Sequence, residues 1–239
     1  MSNVQRINLH GAVGRLIAIL ATCVTAGYVS AAPVPYTFVT TGGSFGTGPS
    51  FDPSAVVSGT FSYDPAIPPG TINSFGATVY AGSFLNLTGA VEGRSFSAPV
   101  GFSLVGDEII PPGFAAPVDY LQLLADSLLG GPRDLSGFTI GSLELVNVRL
   151  FWTETVLGAP DFLVDSSLPG VLPSFAGRLA LDFAPVGTTT PLSFTFFDGL
   201  TVRPASVSEP GALLLIGIAL AGVALARRRD ATDTRRFGE

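Results

Sequence analysis

The chain of 239 residues contains no lysine, and its single cysteine, histidine and methionine are Cys23, His10 and Met1. All three lie within residues 1–31, which we predict to be removed as a signal peptide. The mature chain would then have no thiol, imidazole or thioether. This excludes disulfides, histidine-based triads, Cys-His dyads, haem ligation by histidine and zinc sites with Cys or His ligands. Carboxylates are the main acid-base side chains that remain.

Positive charge is scarce as well. Between residues 32 and 209 there are 15 acidic residues and five arginines, which gives a net charge of −10. Nucleic acid is held mainly through Lys and Arg contacts to phosphate, so we predict no nucleic-acid partner. An acidic surface also repels anionic membranes and acidic polymers. Neutral glycans, divalent cations and basic partners remain as ligands.

Residues 1–31 have the three parts of a secretory signal peptide. Arg6 and Arg15 supply the positive region, and residues 16–29 form the apolar region. An uncleaved anchor is the alternative, but 14 apolar residues are short for a membrane span. We therefore predict that the segment is cleaved and that the mature chain begins outside the inner membrane.

Small residues end this segment and define the predicted cleavage site. The favoured cut follows Ala31, in the sequence Val29-Ser30-Ala31. A cut after Ala32 would place Pro33 immediately behind the scissile bond, and we favour it less. The signal cleavage site is therefore assigned to Ala31 and Ala32, with Ala31 preferred.

A second apolar run lies near the other end of the chain. Residues 211–226 contain only Gly, Ala, Val, Leu and Ile, and Arg227, Arg228 and Arg229 follow. As a helix the run spans roughly 24 Å, against roughly 30 Å of hydrocarbon. A buried core helix is the alternative, but such a helix usually keeps a polar stripe, and this run has none. We predict a single transmembrane helix, a basic stop-transfer cluster of three arginines and a polar cytoplasmic tail at 230–239.

Ser208, Glu209, Pro210 and Gly211 precede this run. Together with the run and the arginines, residues 207–229 resemble the C-terminal sorting signal of PEP-CTERM proteins. The family motif is usually Pro-Glu-Pro, so Ser208 is a departure at its first position. Proline is well tolerated in the first turn of a helix, so Pro210 is a suitable start for the span.

This resemblance implies a route for the protein. PEP-CTERM proteins are exported bacterial proteins handled by an exosortase, a membrane-embedded cysteine transpeptidase. By this resemblance the chain crosses the inner membrane, is held there transiently, and is then processed. Its destination would be the cell surface or an extracellular matrix of exopolysaccharide, as in biofilms.

Residues 32–206 are predicted to form the β-rich exported domain. Glycine and proline punctuate β-branched and aromatic segments, and we count roughly eight to ten strands. The clearest predicted segments are 57–64, 75–91, 96–105, 120–125, 138–152, 178–183 and 192–202. Short strands without helix-length periodic segments favour an all-β fold, either a β-sandwich or a jelly roll. Residues 120–129 also suit a helical face, and we predict a strand for the first half.

Acidic pairs are the candidate catalytic groups. A glycosidase needs two carboxyls roughly 5–10 Å apart. The candidate pairs are Asp107 with Glu108, Asp161 with Asp165, and Asp119 with Asp126. Such pairs arise by chance among 15 acids, so solvated loop acids are the favoured interpretation. We predict no catalytic residues, with a secreted carboxylate-dependent glycan hydrolase as the alternative.

Four aspartates next to proline or glycine suit calcium ligation by oxygen, namely Asp52, Asp64, Asp107 and Asp198. No Asp-x-Asp-x-Asp-Gly loop is present, however, and aspartate commonly begins turns by bonding its own backbone. We therefore predict no cofactor, with a structural calcium ion as the alternative.

Trp152 is the one residue suited to stacking on a sugar, although a core or rim position is favoured. Asn86-Leu87-Thr88 fits the glycosylation acceptor pattern. The leading hypothesis is an exported, non-catalytic envelope or matrix protein. A calcium- or neutral-glycan-binding surface module is a further alternative.

Overall fold

The computed structural model describes residues 32–125, 135–153 and 161–205. The predicted signal peptide, transmembrane helix and cytoplasmic tail lie outside these residues, as does Asp126. In the described ranges no helix is long and apolar enough to cross a membrane.

The described residues form an all-β fold of ten strands. In chain order these are β1 (Val34–Val39), β2 (Gly42–Gly46), β3 (Ser58–Tyr63), β4 (Thr78–Val91), β5 (Arg94–Ile109), β6 (Val118–Ala125), β7 (Thr139–Ile140), β8 (Leu143–Thr153), β9 (Gly177–Pro185) and β10 (Ser193–Pro204). Each predicted segment overlaps at least one of these strands, and the segment 138–152 overlaps both β7 and β8. The strand predicted for residues 120–125 is confirmed within β6. β1 and β2 were not predicted.

Eight of the strands close into an antiparallel barrel in the order β1, β3, β4, β5, β6, β8, β9, β10. Closure occurs at β1, where Tyr36 is paired with Phe61 of β3 on one side and with Pro204 of β10 on the other. The prediction of a sandwich or jelly roll is therefore corrected to one closed sheet. Closure removes the free edges that an open sheet leaves. β2 and β7 are short additions on β10 and β8.

Side chains fill the interior of the barrel. Successive residues of a strand point to opposite faces, and Leu121 and Leu123 of β6 are fully buried in the main core. The largest enclosed side chains are Trp152, Tyr63, Phe61, Phe84, Phe183 and Phe197. An eight-stranded barrel is just wide enough for such filling. Trp152 is 1% exposed, so the core position favoured for it is confirmed.

A β-bulge in β8 changes which side chains face outward. The register with β9 shifts between Leu145 and Asn147. Leu145 therefore packs in the interior, as do Val148 and Leu150 further along. A regular alternation would have placed Leu145 on the same face as Asn147 and Arg149. The bulge thus separates an apolar start of β8 from a polar outer face.

Residues 161–176, here called the end loop, cover one end of the barrel. Leu163 and Leu172 of this loop are buried in the main core. Two buried tyrosines also fasten it, because the Tyr63 O–H donates to the carbonyl of Pro169 (2.9 Å) and the Tyr80 O–H to that of Ser166 (2.7 Å). The end loop is therefore part of the folded core.

Candidate functional site

Asp119 anchors the end loop to the barrel. It lies near the start of β6, is fully buried, and its Oδ2 accepts the backbone N–H groups of Phe162 and Leu163, both at 2.8 Å. Its Oδ1 is buried without a hydrogen-bond donor among the residues that the structure describes. The loop therefore satisfies one oxygen of this carboxylate.

Two further carboxyls adjoin Asp119, and together the three form what we call the acidic end: Asp107, Asp119 and Asp161. Loss of water contact, followed by the charge of Asp119, raises the pKa of Asp107. The pKa of Asp161 is raised because its proton can be donated to Asp119 and because the Asp119 charge is close. The Asp119 carboxylate thus contributes to the raised pKa of both neighbouring carboxyls.

The acidic end combines one member of each predicted pair rather than any pair as predicted. Glu108 is exposed and has a left-handed backbone (φ 49°) in a bulge of β5. Asp165 accepts the N–H of Ser167 (2.7 Å), and bonds to Ser167 lower its pKa. Asp119 and Asp161 lie within hydrogen-bonding reach of each other.

The four candidate calcium ligands are not brought together. Asp52 accepts the N–H of Ser54 (2.8 Å), and Asp64 accepts that of Ala66 (2.9 Å), as turn-forming aspartates do. Asp198 pairs with Arg178 at 2.6 Å. Asp107 belongs to the acidic end. Within residues 32–125, 135–153 and 161–205, no group of three His, Cys, Asp or Glu side chains is arranged to hold a metal ion. The absence of a cofactor stays a prediction, with structural calcium as its alternative.

A groove of about 450 Å³ lies on the outside of the barrel, across β5, β6, β8, β9 and β10. We call it the outer groove. Its aromatic wall consists of Phe75, Phe114, Tyr120, Phe151, Phe194 and Phe196, and its polar floor of Gln122, Asn147, Arg149 and Asp182. These strand residues alternate with core residues such as Leu121 and Leu150, which places them on the outer face. Ligand sites commonly have this size and this mixture of apolar walls with few polar groups.

Hydrogen bonds hold the polar floor in place. Arg149 Nη2 donates to Asp182 Oδ1 (2.7 Å), and Asn147 Nδ2 donates to Asp182 Oδ2 (3.2 Å). The Tyr120 O–H donates to Gln122 Oε1, and burial raises the pKa of Tyr120 to about 12. Asn147 Oδ1 and Arg149 Nε are buried without a partner in the described part of the chain. The floor therefore retains one acceptor and one donor with unused bonding capacity.

Phe196 is the centre of the aromatic wall. Its ring centroid lies 5.2 Å from that of Phe194, 5.3 Å from that of Phe45 on β2, and 6.0 Å from that of Phe151. The Arg149 guanidinium lies 5.9 Å from the same ring. These contacts pack the rings and the arginine against one another, so the wall and the floor form one continuous surface.

The sequence analysis did not identify the outer groove. A signal was present, because Asn147, Arg149 and Asp182 interrupt otherwise apolar strands, and such residues need partners when buried. Pairing them required the register of β8 with β9, where Asn147 faces Asp182. Asn86 of the glycosylation pattern is exposed on β4, and its glycosylation stays a prediction.

The predicted sorting residues and the predicted cut after Ala31 lie outside the described residues, whereas Ala32 is exposed at the start of the described part. Comparison with protein families matches residues 206–229 to the PEP-CTERM protein-sorting motif. No curated protein and no solved structure matches the chain. The match includes Ser208 to Gly211 and the three arginines from Arg227 to Arg229. The chain therefore carries the motif of PEP-CTERM sorting domain-containing proteins, and this motif supports an exported protein that an exosortase sorts.

Proposed function

We propose that this protein is a non-catalytic component of the cell envelope or extracellular matrix and that it associates with exopolysaccharide. The observation that carries the proposal is the sorting motif at residues 206–229, which implies export, transit through the membrane and release at the surface. The exosortase is the processing partner that the motif implies. The barrel is the part that reaches the final location.

The non-catalytic role is supported by the available side chains. After the predicted signal peptide the chain has no histidine, cysteine or lysine, so nucleophilic and acid-base chemistry would depend on carboxylates and hydroxyls. The most closely associated carboxyls are those of the acidic end, and Asp119 there is engaged by two backbone N–H groups of the end loop. Its role is to hold the fold together.

The test of sorting is the double variant Glu209→Ala with Pro210→Ala. We expect export through the signal peptide to continue while the protein stays in the inner membrane at its larger mass, because the motif before the apolar run is lost. Mass spectrometry and membrane fractionation, in cells with and without exosortase, measure this outcome. Thr232→Ala with Asp233→Ala is the matched control, since both residues lie outside the matched motif. A Glu209/Pro210 variant that reaches the surface at wild-type mass contradicts the proposal.

A second candidate function is acid-dependent glycan hydrolysis, and the raised pKa values of Asp107 and Asp161 favour it. A general acid benefits from a raised pKa because it must remain protonated until it acts. The test is hydrolysis of neutral polysaccharides by the wild-type chain and by Asp107→Asn with Asp161→Asn. Activity that this double variant abolishes would overturn the non-catalytic role.

A further inference from the structure

The outer groove offers side chains, and no free strand edge, to a ligand. The strands β6, β8 and β9 beneath it are each paired with neighbours on both sides in the closed barrel. Many peptides gain their affinity by adding a strand to a free sheet edge. An extended peptide cannot bind the outer groove in this way. Recognition must come from ring faces and from planar polar groups.

The polar floor suits neighbouring hydroxyl groups. Asn147, Arg149 and Asp182 are planar groups with two or more hydrogen-bonding positions each, and they lie side by side on β8 and β9. Asn147 Oδ1 and Arg149 Nε are buried, so a ligand meets the floor mainly at the Arg149 side chain, which is 26% exposed. The guanidinium of Arg149 is a planar group with several N–H donors, and adjacent hydroxyl oxygens can accept from them. A ligand with adjacent hydroxyls therefore suits the floor.

Charge favours a neutral ligand. The Arg149 guanidinium is offset by Asp182, whose side chain is 6% exposed and bonds to it at 2.7 Å. The groove thus has no net charge with which to attract an ion. The surrounding domain is strongly acidic, so anionic polymers are repelled. Trp152, the stacking residue that the sequence suggested, is buried in the core, and the partly exposed rings of Phe151, Phe194 and Phe196 provide apolar faces for the C–H face of a sugar ring in its place.

We propose that the outer groove is a binding site for a neutral saccharide. This deepens the proposed function and rests on it, because it assigns the association with exopolysaccharide to one surface of the barrel. Ring faces of the aromatic wall contact the saccharide, and Arg149, held in place by Asp182, orients it.

The test is titration calorimetry on the full-length chain in detergent. The probes are short neutral oligosaccharides of glucose, galactose or mannose, with alginate as the anionic comparison and a proline-rich peptide as the protein-like comparison. Phe194→Ala removes a ring that is 38% exposed, so the core is untouched. We expect it to weaken saccharide binding about fivefold. Arg149→Gln should weaken binding about tenfold, with a melting curve to verify folding.

Val100→Ala is the matched control, because Val100 is 48% exposed on β5 and does not line the groove. It should leave binding unchanged. Equal binding by wild type, Phe194→Ala and Val100→Ala overturns the inference, as does a wild-type chain that binds no neutral saccharide. Preference for alginate overturns the argument from charge. Binding of the peptide in place of the saccharide assigns the groove to a protein partner and also overturns it.

Retention in cells separates this inference from the proposed function. The Phe194→Ala chain should be processed like wild type but held less firmly in the matrix. A wild-type chain that binds saccharide through the groove yet is never retained in the matrix refutes the proposed function alone. If the wild-type chain is retained in the matrix and the groove variants bind saccharide normally, only the assignment of the saccharide site to the outer groove is refuted.

Discussion

Removing the Asp119 carboxylate should release the end loop. Asp119→Ala leaves the N–H groups of Phe162 and Leu163 without their acceptor at a buried site. An unsatisfied buried donor costs about 1–3 kcal/mol. Phe162 is only partly buried, so its N–H regains some water contact, and we expect the free energy of unfolding to fall by about 2–4 kcal/mol in total. In a domain of this size that corresponds to a melting temperature lower by roughly 5–15 °C.

Asp119→Asn is the matched control for this prediction. Its amide oxygen can accept the same two N–H groups, and its NH₂ group would take the place of Oδ1, which has no donor among the described residues. That NH₂ can donate to the carboxyl of Asp161, which adjoins Asp119. We therefore expect Asp119→Asn to be as stable as wild type at neutral pH, or more stable.

Urea unfolding of residues 32–205 measures both variants, and amide hydrogen exchange at Phe162 and Leu163 locates the effect. Exchange at these amides should accelerate in Asp119→Ala and remain slow in Asp119→Asn. If Asp119→Asn loses as much stability as Asp119→Ala, the charge of the carboxylate matters and its role as an acceptor does not. If Asp119→Ala loses nothing, the carboxylate does not anchor the loop.

Two further predictions concern the isolated barrel. Residues 32–205 expressed alone should give a β-rich circular dichroism spectrum and one cooperative melt, with a midpoint that reductant leaves unchanged because no cysteine is present; a helical spectrum would refute the fold. Because the folded-state pKa values of Asp107 and Asp161 are raised above 3.8, their protonation stabilises the folded state. That contribution is complete below pH 3.8 and is lost as the pH rises through the raised values. Urea midpoints measured against pH should show this fall, and Asp161→Asn should reduce it; an identical pH profile in the variant would contradict the assignment.

Local patterns were sufficient to predict most of the strands. In β3 and the residue before it, Val57, Phe61 and Tyr63 alternate with polar residues, and all three are buried in the main core. Alternation is a property of neighbouring residues and needs no knowledge of the partner strand. Closure of the barrel depends instead on β1 meeting β10, where Thr37 pairs with Arg203. No pattern within either strand specifies a contact over that separation.

The outer groove depends on two further non-local features. The bulge before Asn147 determines that Asn147 and Arg149 face outward, and a regular alternation would have grouped them with Leu145, which is in the core. Asp182 meets them only through the register of β9 on β8. The polar residues were visible in the sequence, but their common surface follows from strand register, which sequence periodicity does not determine.

In the acidic end, a hairpin positions two of the carboxyls, whereas a loop from a distant part of the sequence positions the third. β5 and β6 form a hairpin in which Gly106 pairs with Tyr120 and Ile109 with Val118. Asp107 and Asp119 are therefore brought to the same end of the barrel by one turn, and their proximity follows from the two predicted strands and the proline-rich turn between them. Asp161 arrives through a loop that no strand pattern positions. Because the third carboxyl is held by the same loop that Asp119 anchors, the position of Asp161 depends on the bonds from Phe162 and Leu163 to Asp119. The carboxyls at this end are thus coupled to the folding of the loop, and acid-base changes there should first alter the attachment of the end loop.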